Sequence, residues 1–486
     1  MQAQNLIVIM SDEHQRAMAG CYGHEFITTP NIDSLAARGT RFDNAYTSCP
    51  ICVPARASFA TGKHNYQIGF WDNADPYDGS IPSWHRRLRD TGHEVVSVGK
   101  LHFRSSEDDN GFSHEILPMH VIEGKGDLMG LVREDIPVRG AAYKMANMAG
   151  PGESPYTLYD RQIAAEAAKW LHDQAPKHTD KPWVLFVSFV TPHFPLTAPP
   201  EHYYRYYNDP DLPMPKAYAE SERHYHPYIN DYANSSNYDA HFKSEDDVRR
   251  GVAGYFGLCS FLDEQIGKVI SALEESGNSA STRIVYTSDH GDSVGARGLW
   301  GKSNMYEEAA SVPLIAAGEG IPKGKVIDTA ATFLDIYPFI IDCVGENRKG
   351  MVEPDHPGTS IIELANGMDP DRTILSEYHA MGSTGGIYML RDRRYKYVHF
   401  VNYAPQLFDL QTDPGEMTDL AGDPAYASVL ADFESRLRKR LDPEEVDRRA
   451  KARQNALLKE AGGRDAVIKR GDLGYSPPPG YQPELA

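Results

Sequence analysis

The stretch "NLIVIMSDEH", residues 5–14, joins a short apolar run to three ionisable residues. An unbroken apolar run of this length is typical of a strand that other elements cover on both faces. Four further runs rich in apolar residues follow along the chain, at 94–98, 183–190, 283–288 and 312–317. Helical patterns lie between them, and strands that alternate with helices predict an α/β fold whose central sheet is mainly parallel and sandwiched by helices.

The helical patterns differ greatly in length. The longest extends over about 246–277, where apolar residues recur along one face. A shorter one, "NIDSLAARG" at 31–39, predicts a helix that Asn31 caps and Gly39 ends.

The sequence changes in character after about residue 373. The segment 386–402 alternates like a hairpin around Asp392, and a helical pattern follows at 426–441. The rest is charged and then rich in Pro and Gly, so it is expected to lack fixed structure or to wrap a partner subunit. Three parts are therefore predicted: a large domain over 1–373, a small antiparallel sheet with a helix over 374–441, and a tail over 442–486.

The composition is that of a soluble globular protein, with 41% hydrophobic and 24% charged residues over 486 positions. A net charge of −19 argues against a nucleic-acid partner, and an anionic substrate would need a local cationic pocket. Five scattered cysteines do not make a disulfide framework. The opening apolar run is too short for a signal peptide or a membrane span, so a cytoplasmic protein with no membrane partner is expected.

Ionisable residues follow four of the predicted strands, at the edge where parallel sheets bind ligands. In chain order they are Asp12, Glu13 and His14, then Lys100 and His102, then His193, then Asp289 and His290. Each alone has an ordinary interpretation as a cap, a turn or a strand exit, but chance does not readily place such groups at four successive strand ends. Carboxylates with one imidazole fit a divalent metal, with Mn²⁺ favoured and Ca²⁺ as the alternative.

A second stretch, "SCPICVPARASFATGKH" at 48–64, places a cysteine beside a predicted short helix. Pro54 suits the first helical position, and Gly62 suits the left-handed residue that ends a helix. Cys52 is then expected just before the helix N-terminus, where free N–H groups favour anions, with Arg56 one turn further in. A buried free cysteine beside a helix cap is the alternative interpretation.

Together these motifs resemble the sulfatase family of the alkaline phosphatase superfamily. The resemblance covers roughly residues 5–308 and the ending "QLFDLQTDPGEMTDLA" at 406–421. Its most specific motif is the Cys-x-Pro-x-Arg run that begins at Cys52. Ala55, where many sulfatases have Ser, and "WDN" at 71–73 look most like the branch of choline sulfatases, cytoplasmic arylsulfatases and phosphonate monoester hydrolases.

The resemblance implies a chemically modified nucleophile and a metal. In this family a formylglycine-generating enzyme oxidises the motif cysteine, here Cys52, to formylglycine, and the hydrate of that aldehyde attacks the substrate. The implied metal ligands are Asp12, Asp289, His290 and the modified Cys52. Glu13 stands where many sulfatases have another ligating Asp, so it is a possible ligand.

The remaining site residues are also assigned through the resemblance. Arg56 resembles the residue that holds the hydrate, and Asn73 resembles a substrate-contacting residue of this branch. The sulfate-binding and proton-transfer set is implied to be Lys100, His102, His193 and Lys302. His193 or Lys302 would protonate the leaving alkoxide, which leaves the enzyme as a sulfated hemiacetal. His102 would then deprotonate the second hydroxyl of this intermediate, so that sulfate is released and the aldehyde is restored.

The implied function is therefore the hydrolysis of small sulfate monoesters. Lys100 and His102 favour it, because phosphonate monoester hydrolases of this branch tend to carry neutral hydroxyl residues there. A phosphonate monoester or phosphodiester hydrolase on the same site is the alternative, and a non-catalytic binding protein is a remote one that would need broken ligands.

Two features bear on the substrate and on assembly. Nine tyrosines lie within 203–238, together with His224 and His226, and they would line an aromatic pocket for an aryl or quaternary ammonium group or form a structural loop. C-terminal segments in the resembled branch embrace neighbouring subunits, so a homodimer or homotetramer is expected.

Overall fold

The computed structural model of the chain describes residues 2–223, 225–368 and 371–485. Within these ranges an eight-stranded sheet forms the centre of the molecule, and a four-stranded sheet lies towards the C-terminus. The strands are, in chain order, β1 (Asn5–Asp12), β2 (Gly39–Phe42), β3 (Ala45–Tyr46), β4 (Val95–Lys100), β5 (His114–Met119), β6 (Gly150–Pro151), β7 (Val184–Pro192), β8 (Thr197–Ala198), β9 (Thr282–Ser288), β10 (Leu314–Ala317), β11 (Lys325–Ile327), β12 (Ala331–Thr332), β13 (Ile374–Tyr378), β14 (Ile387–Arg391), β15 (Tyr395–Phe400) and β16 (Tyr403–Asp409).

Helices cover both faces of the large sheet and fill the connections between its strands. They are, in chain order, α1 (Pro30–Ala37), α2 (Cys52–Thr61), α3 (Asn65–Ile68), α4 (Trp84–Asp90), α5 (Tyr143–Asn147), α6 (Pro155–Asp173), α7 (Pro200–Tyr207), α8 (Pro227–Ser236), α9 (Glu245–Glu275), α10 (Glu307–Ala310), α11 (Ile336–Cys343), α12 (Ile361–Ala365), α13 (Ala427–Arg440), α14 (Pro443–Glu460) and α15 (Arg464–Arg470).

The large sheet is mainly parallel, as predicted. Its strand order is β11–β2–β10–β9–β1–β7–β4–β5. At its centre Leu6 of β1 lies opposite Val184 of β7 on one side and Arg283 of β9 on the other, in parallel register on both sides. β10 is antiparallel to both of its neighbours. The carboxyl ends of β1, β4, β7 and β9 therefore meet at one edge.

The apolar opening run is buried on both faces. Leu6, Val8 and Met10 pack with residues of α2, α4 and α11. Ile7 and Ile9 point the other way and pack with residues of α6 and α9. Successive side chains of a strand point to opposite faces, so an unbroken apolar run is required where helices cover both.

The small sheet has the antiparallel order β13–β14–β15–β16. Its central hairpin turns at Asp392, whose backbone N–H donates to the carbonyl of Tyr395 at 3.2 Å. Phe433 and Leu437 of α13 are buried against this sheet. The predicted antiparallel subdomain is therefore present.

The tail folds onto its own chain, which corrects the expectation that it lacks fixed structure, while its role in assembly stays a prediction. The Asp442 side chain caps α14 by accepting from the N–H of Glu445 at 3.1 Å. Val446 and Ala450 of α14 are buried in the cluster around the small sheet. The tail has too few apolar residues to form a core of its own. They are enough to cover one face of α14, which packs on the core that already exists around the small sheet.

The boundaries of α1 also differ from the prediction. The helix begins at Pro30, a favoured first residue, and it ends at Ala37, so Gly39 starts β2 instead of ending the helix. Asn31 lies inside α1, where its side-chain amide donates to Asp263 of α9 at 2.8 Å. The long helix predicted over 246–277 is confirmed as α9.

The five cysteines, all within the described ranges, are free thiols. Among the helices of the described ranges, none has both the length and the apolar composition that crossing a membrane requires.

Candidate active site

Polar residues lie at or just after the carboxyl ends of four neighbouring parallel strands, at one edge of the large sheet. β1 ends at Asp12 and β4 ends at Lys100, while His193 follows β7 and Asp289 follows β9. All four side chains are buried. The fold thus brings together groups that are separated by as many as 277 positions in the sequence.

Cys52 is the first residue of α2, which corrects the prediction that it precedes the helix. Ile51 is the N-cap, with extended backbone, and its carbonyl accepts the N–H of Ala55 at 3.1 Å. Pro54 lies within the first turn, where no intrahelical bond needs its missing N–H. Gly62 ends the helix with φ +68°, as predicted. Cys52 still lies at the positive end of the helix dipole.

Cys52 joins Asp12, Asp289 and His290 in a buried group whose ligand atoms all lie within 4.8 Å of one another. The Sγ atom of Cys52 is 3.1 Å from Nε2 of His290 and 3.7 Å from Oδ1 of Asp12. The other ring nitrogen of His290 lies 3.0 Å from the carbonyl of Gly291, which turns Nε2 towards the group. Two carboxylates, an imidazole and the Cys52 side chain fit one divalent cation.

Two buried cations face these carboxylates. Nε of Arg56 donates to Asp289 at 2.8 Å, its Nη2 lies 3.5 Å from Asp12, and Lys100 forms an ion pair with Asp12. Burial opposes ionisation of Asp12, but Lys100 foremost among its neighbours holds the pKa of this carboxyl well below its ordinary value. Burial and the nearby Asp12 raise the pKa of the Cys52 thiol to about 11, which makes the unmodified thiol a weak nucleophile at neutral pH.

Lys302 and His193 form a second set beside the metal-ligand group. Nζ of Lys302 donates to Nε2 of His193 at 2.8 Å and to Glu13 at 3.1 Å. Nδ1 of His193 lies 2.7 Å from the carbonyl of Phe194, so this nitrogen carries the ring proton and Nε2 accepts. Glu13 is turned towards this pair, and its other carboxylate oxygen has no hydrogen-bond partner.

His102 lies buried at the end of β4, and neither of its ring nitrogens has a hydrogen-bond partner. Burial, reinforced by Lys100 and Arg56, lowers its pKa well below the ordinary value, so the imidazole is neutral. A neutral imidazole with free nitrogens can accept a proton.

Some backbone strain lies at this edge. Glu13, His102 and Ser303 have φ values of +70°, +54° and +74°. Left-handed backbone costs a residue other than glycine about 1–2 kcal/mol. Such strain persists where surrounding contacts hold it, and it is typical of functional sites.

A pocket of about 90 Å³ opens above Cys52. Asn73 lines it, and its Oδ1 accepts the N–H of Val53 at 3.2 Å, which ties Asn73 to the first turn of α2. The pocket is also lined by His102, His193 and Lys302. The predicted site residues thus lie in the metal-ligand group, pair with its carboxylates or line this pocket, and Glu13 bonds to the pocket-lining Lys302.

The C-terminal tail also lines this pocket, which the sequence did not indicate. Oδ1 of Asp472 accepts the N–H of Ala141 at 3.0 Å, and its other carboxylate oxygen is buried without a partner. The ring of Tyr475 packs against Phe194 at 5.9 Å between centroids. No sequence motif indicates that these residues line the pocket, because their position depends on the path that the tail takes across the folded molecule.

Ser188 is a further residue that sequence reasoning missed. Its Oγ accepts from Nη1 of Arg56 at 2.9 Å and so helps to hold the guanidinium. The available signal was a single polar residue inside the apolar strand "WVLFVSFV".

The tyrosine-rich segment has mixed roles. Tyr232 and Tyr238 line the pocket, whereas Tyr203 and Tyr206 are buried in a cluster packed against α9. His226 stacks on Phe400 of the small sheet at 4.1 Å between centroids. His224 lies outside the described residues.

Comparisons with known proteins identify the family of the chain. A family model described as Sulfatase matches residues 4–346, and one described as N-sulphoglucosamine sulphohydrolase, C-terminal, matches residues 295–442. A choline-sulfatase of Rhizobium meliloti (strain 1021) is 32% identical over 86% of this chain and 83% of the relative. Arylsulfatase K of Bos taurus is 27% identical over 90% of this chain and 81% of the relative.

The fold has close counterparts among solved structures. The phosphonate monoester hydrolase of Agrobacterium radiobacter superposes with a TM-score of 0.72 at 23% identity, covering 90% of this chain and 95% of that one. The alkaline phosphatase-like architecture predicted from the sequence is thereby confirmed. Since the Sulfatase model matches well over half of the sequence, the chain belongs to the sulfatase family, as the motifs predicted, and is a sulfuric ester hydrolase.

Proposed function

We propose that this protein hydrolyses small sulfate monoesters with formylglycine, derived from Cys52, as the nucleophile. The observation that carries the proposal is the buried group of Cys52, Asp12, Asp289 and His290, with its ligand atoms within 4.8 Å of one another. A formylglycine-generating enzyme is the partner that maturation would require. The hydrate of the aldehyde would supply two hydroxyls on one carbon, one for attack on sulfur and one whose deprotonation releases sulfate.

The same four residues would hold one divalent ion, with Mn²⁺ favoured and Ca²⁺ as the alternative. When bound, the ion would increase the acidity of the attacking hydroxyl and neutralise sulfuryl oxygen charge. Arg56 would keep Asp12 and Asp289 oriented, because its guanidinium lies between them. Glu13 is proposed as the partner of Lys302, since its carboxylate is turned towards that amine.

The chain's own cations would stabilise the charge that develops on the sulfuryl oxygens. Lys100 approaches the Cys52 group from the end of β4 and Lys302 from the loop between β9 and α10, so they bracket the place where a sulfate ester would sit. Lys302 would give its proton to the leaving alkoxide, directly or through His193, whose Nε2 accepts from the amine.

His102 is proposed as the base that releases sulfate. It lines the pocket above Cys52, and both of its nitrogens are without partners. Lys100 and His102 also favour sulfate monoesters over phosphonate monoesters or phosphodiesters. Two bulky, buried side chains would crowd the second substituent that those substrates carry.

The organic half of the ester is proposed to be compact. The pocket above Cys52 holds about 90 Å³, and residues of the tail close part of it. Aromatic residues and the free oxygen of Asp472 line this pocket, which suits an aryl group or a small cationic alcohol. The names of the relatives make choline sulfate and aryl sulfates the first esters to assay.

A substrate panel tests the proposal. Purified enzyme, co-expressed with a formylglycine-generating enzyme and loaded with Mn²⁺, is assayed on choline sulfate, 4-nitrophenyl sulfate, a 4-nitrophenyl phosphonate monoester and a phosphodiester. We expect the highest kcat/KM for a sulfate monoester, with weaker activity on the phosphorus substrates. A phosphonate monoester that is hydrolysed faster than every sulfate would contradict the proposal and favour the alternative hydrolase.

Three further assignments remain predictions. They are the cytoplasmic location, the homo-oligomeric state and the division into parts at residues 373 and 441.

A further inference from the structure

We propose that Tyr228 and Tyr232 are positioning residues that hold the backbone on either side of Lys302. The inference rests on the proposed function, in which Lys302 protonates the leaving group. It goes beyond that function by assigning a role to part of the tyrosine-rich segment.

The two phenols lie four positions apart on α8, so they project from the same face of the helix. Oη of Tyr232 donates to the carbonyl of Trp300 at 3.0 Å, and Oη of Tyr228 donates to the carbonyl of Ser303 at 2.5 Å. Both tyrosines are only 1% exposed. Through these two hydrogen bonds, α8 therefore holds the loop just before and just after Lys302.

The loop around Lys302 has left-handed backbone on both sides of the lysine. Gly301 and Ser303, the two neighbours of Lys302, both have φ of +74°. For Ser303 this left-handed backbone is unfavourable. The carbonyl of Ser303 is the group that Tyr228 binds, so the phenol stabilises the loop at its strained residue.

The direction of the lysine follows from this loop. Nζ of Lys302 reaches His193 at 2.8 Å and Glu13 at 3.1 Å, and both distances depend on where the backbone of Lys302 lies. Loss of either phenol removes one of the hydrogen bonds that hold the loop on that side of Lys302. We therefore expect a misplaced amine and weaker protonation of the leaving group, while Cys52 and its metal ligands stay in place.

The effect is measured with two aryl sulfates that differ in their need for an acid. Phenyl sulfate leaves as a basic phenolate, whereas 4-nitrophenyl sulfate leaves as a weakly basic one. In Tyr228→Phe and Tyr232→Phe we expect kcat/KM for phenyl sulfate to fall by about tenfold and for 4-nitrophenyl sulfate by less than about threefold. The ratio of the two values does not depend on how much of the enzyme is folded, so it separates positioning from simple loss of structure.

Tyr206→Phe is the matched control. Tyr206 is 2% exposed and its phenol bonds to Ser260 at 2.5 Å, away from the Lys302 loop. We expect its ratio to equal that of the parent enzyme. In a Lys302→Ala background, Tyr232→Phe should no longer change the ratio, because the group on which it acts is absent.

The outcomes separate this inference from the proposed function. A parent enzyme that hydrolyses no sulfate ester contradicts the proposed function. An active sulfatase in which Tyr228→Phe and Tyr232→Phe lower both substrates equally, or change the ratio just as much without Lys302, contradicts the positioning role alone.

Discussion

The two sides of the candidate active site are held by different parts of the molecule. On one side, Asp12 and Asp289 are fixed by the ends of adjacent parallel strands, and Cys52 by the first turn of α2. On the other side, Lys302 lies in a loop whose neighbouring carbonyls are bound by tyrosines of α8. The first side is part of the sheet, whereas the second depends on an element from another region of the chain.

The small C-terminal sheet supports the second side. The ring of Tyr228 on α8 packs against Phe400 of β15 at 5.5 Å between centroids. Nζ of Lys396, also in β15, is buried and donates to the carbonyl of Met305 at 2.9 Å, close to the Lys302 loop. We therefore expect that substitutions can disturb metal binding and leaving-group protonation separately.

The largest effect is expected from Asp289→Asn, which acts on the first side of the candidate active site. The substitution keeps the shape of the side chain but removes the charge that faces Arg56 and the proposed metal. We expect metal content, measured by elemental analysis, to fall together with kcat, the latter by about 100-fold or more.

Asp263→Asn is the matched control for this substitution. Asp263 is equally buried, but it binds the backbone N–H groups of Asn31 and Ile32 far from the site. Its metal content should equal that of the parent. Normal turnover by metal-free parent protein would contradict the metal assignment.

A smaller and more specific effect is expected from His102→Ala. Removal of the proposed base should let the first transfer proceed and slow the release of sulfate, with turnover reduced by about 10²–10³-fold. Intact-protein mass spectrometry after addition of substrate should then detect enzyme that carries one sulfuryl group. Turnover at the parent rate, with no such species, would show that another group is the base.

The smallest effect on activity is expected from truncation of the tail after Ser476. The pocket-lining residues 472–476 remain, while the exposed Tyr481 and Leu485 are lost. We expect kcat/KM to change by less than about twofold. Light scattering should find a dimer or tetramer for the full chain and weaker assembly for the truncated one. A monomeric full chain would contradict the predicted oligomer.

The first side, with Asp12, Asp289 and Cys52, could be predicted from the sequence because short local patterns indicate its residues. A buried strand followed by an ionisable residue is visible in "LIVIMSDEH" and again at Asp289 and His290. The parallel sheet then brings such residues together, whatever their separation in sequence. The motif at Cys52 added the proposed nucleophile and indicated the family.

The support of the second side could not be predicted in the same way. Tyr228 and Tyr232 stood in a tyrosine-rich segment, but nothing in the sequence indicated which carbonyls they bind. Asp472 and Tyr475 reach the pocket only because α14 packs beside the small sheet and returns the tail across the molecule. Contacts of this kind depend on the packing of distant elements, which leaves no periodic pattern in the sequence.

The central claim, that residue 52 becomes the nucleophile after oxidation, is tested most directly by mass spectrometry of the peptide that contains it. The protein is produced with and without a co-expressed formylglycine-generating enzyme, and Cys52→Ala serves as the control. We predict that the co-expressed protein carries an aldehyde or its hydrate at residue 52, that sulfatase activity rises in proportion to this fraction, and that Cys52→Ala folds but is inactive. Full activity in protein whose residue 52 is entirely an unmodified thiol would contradict the account.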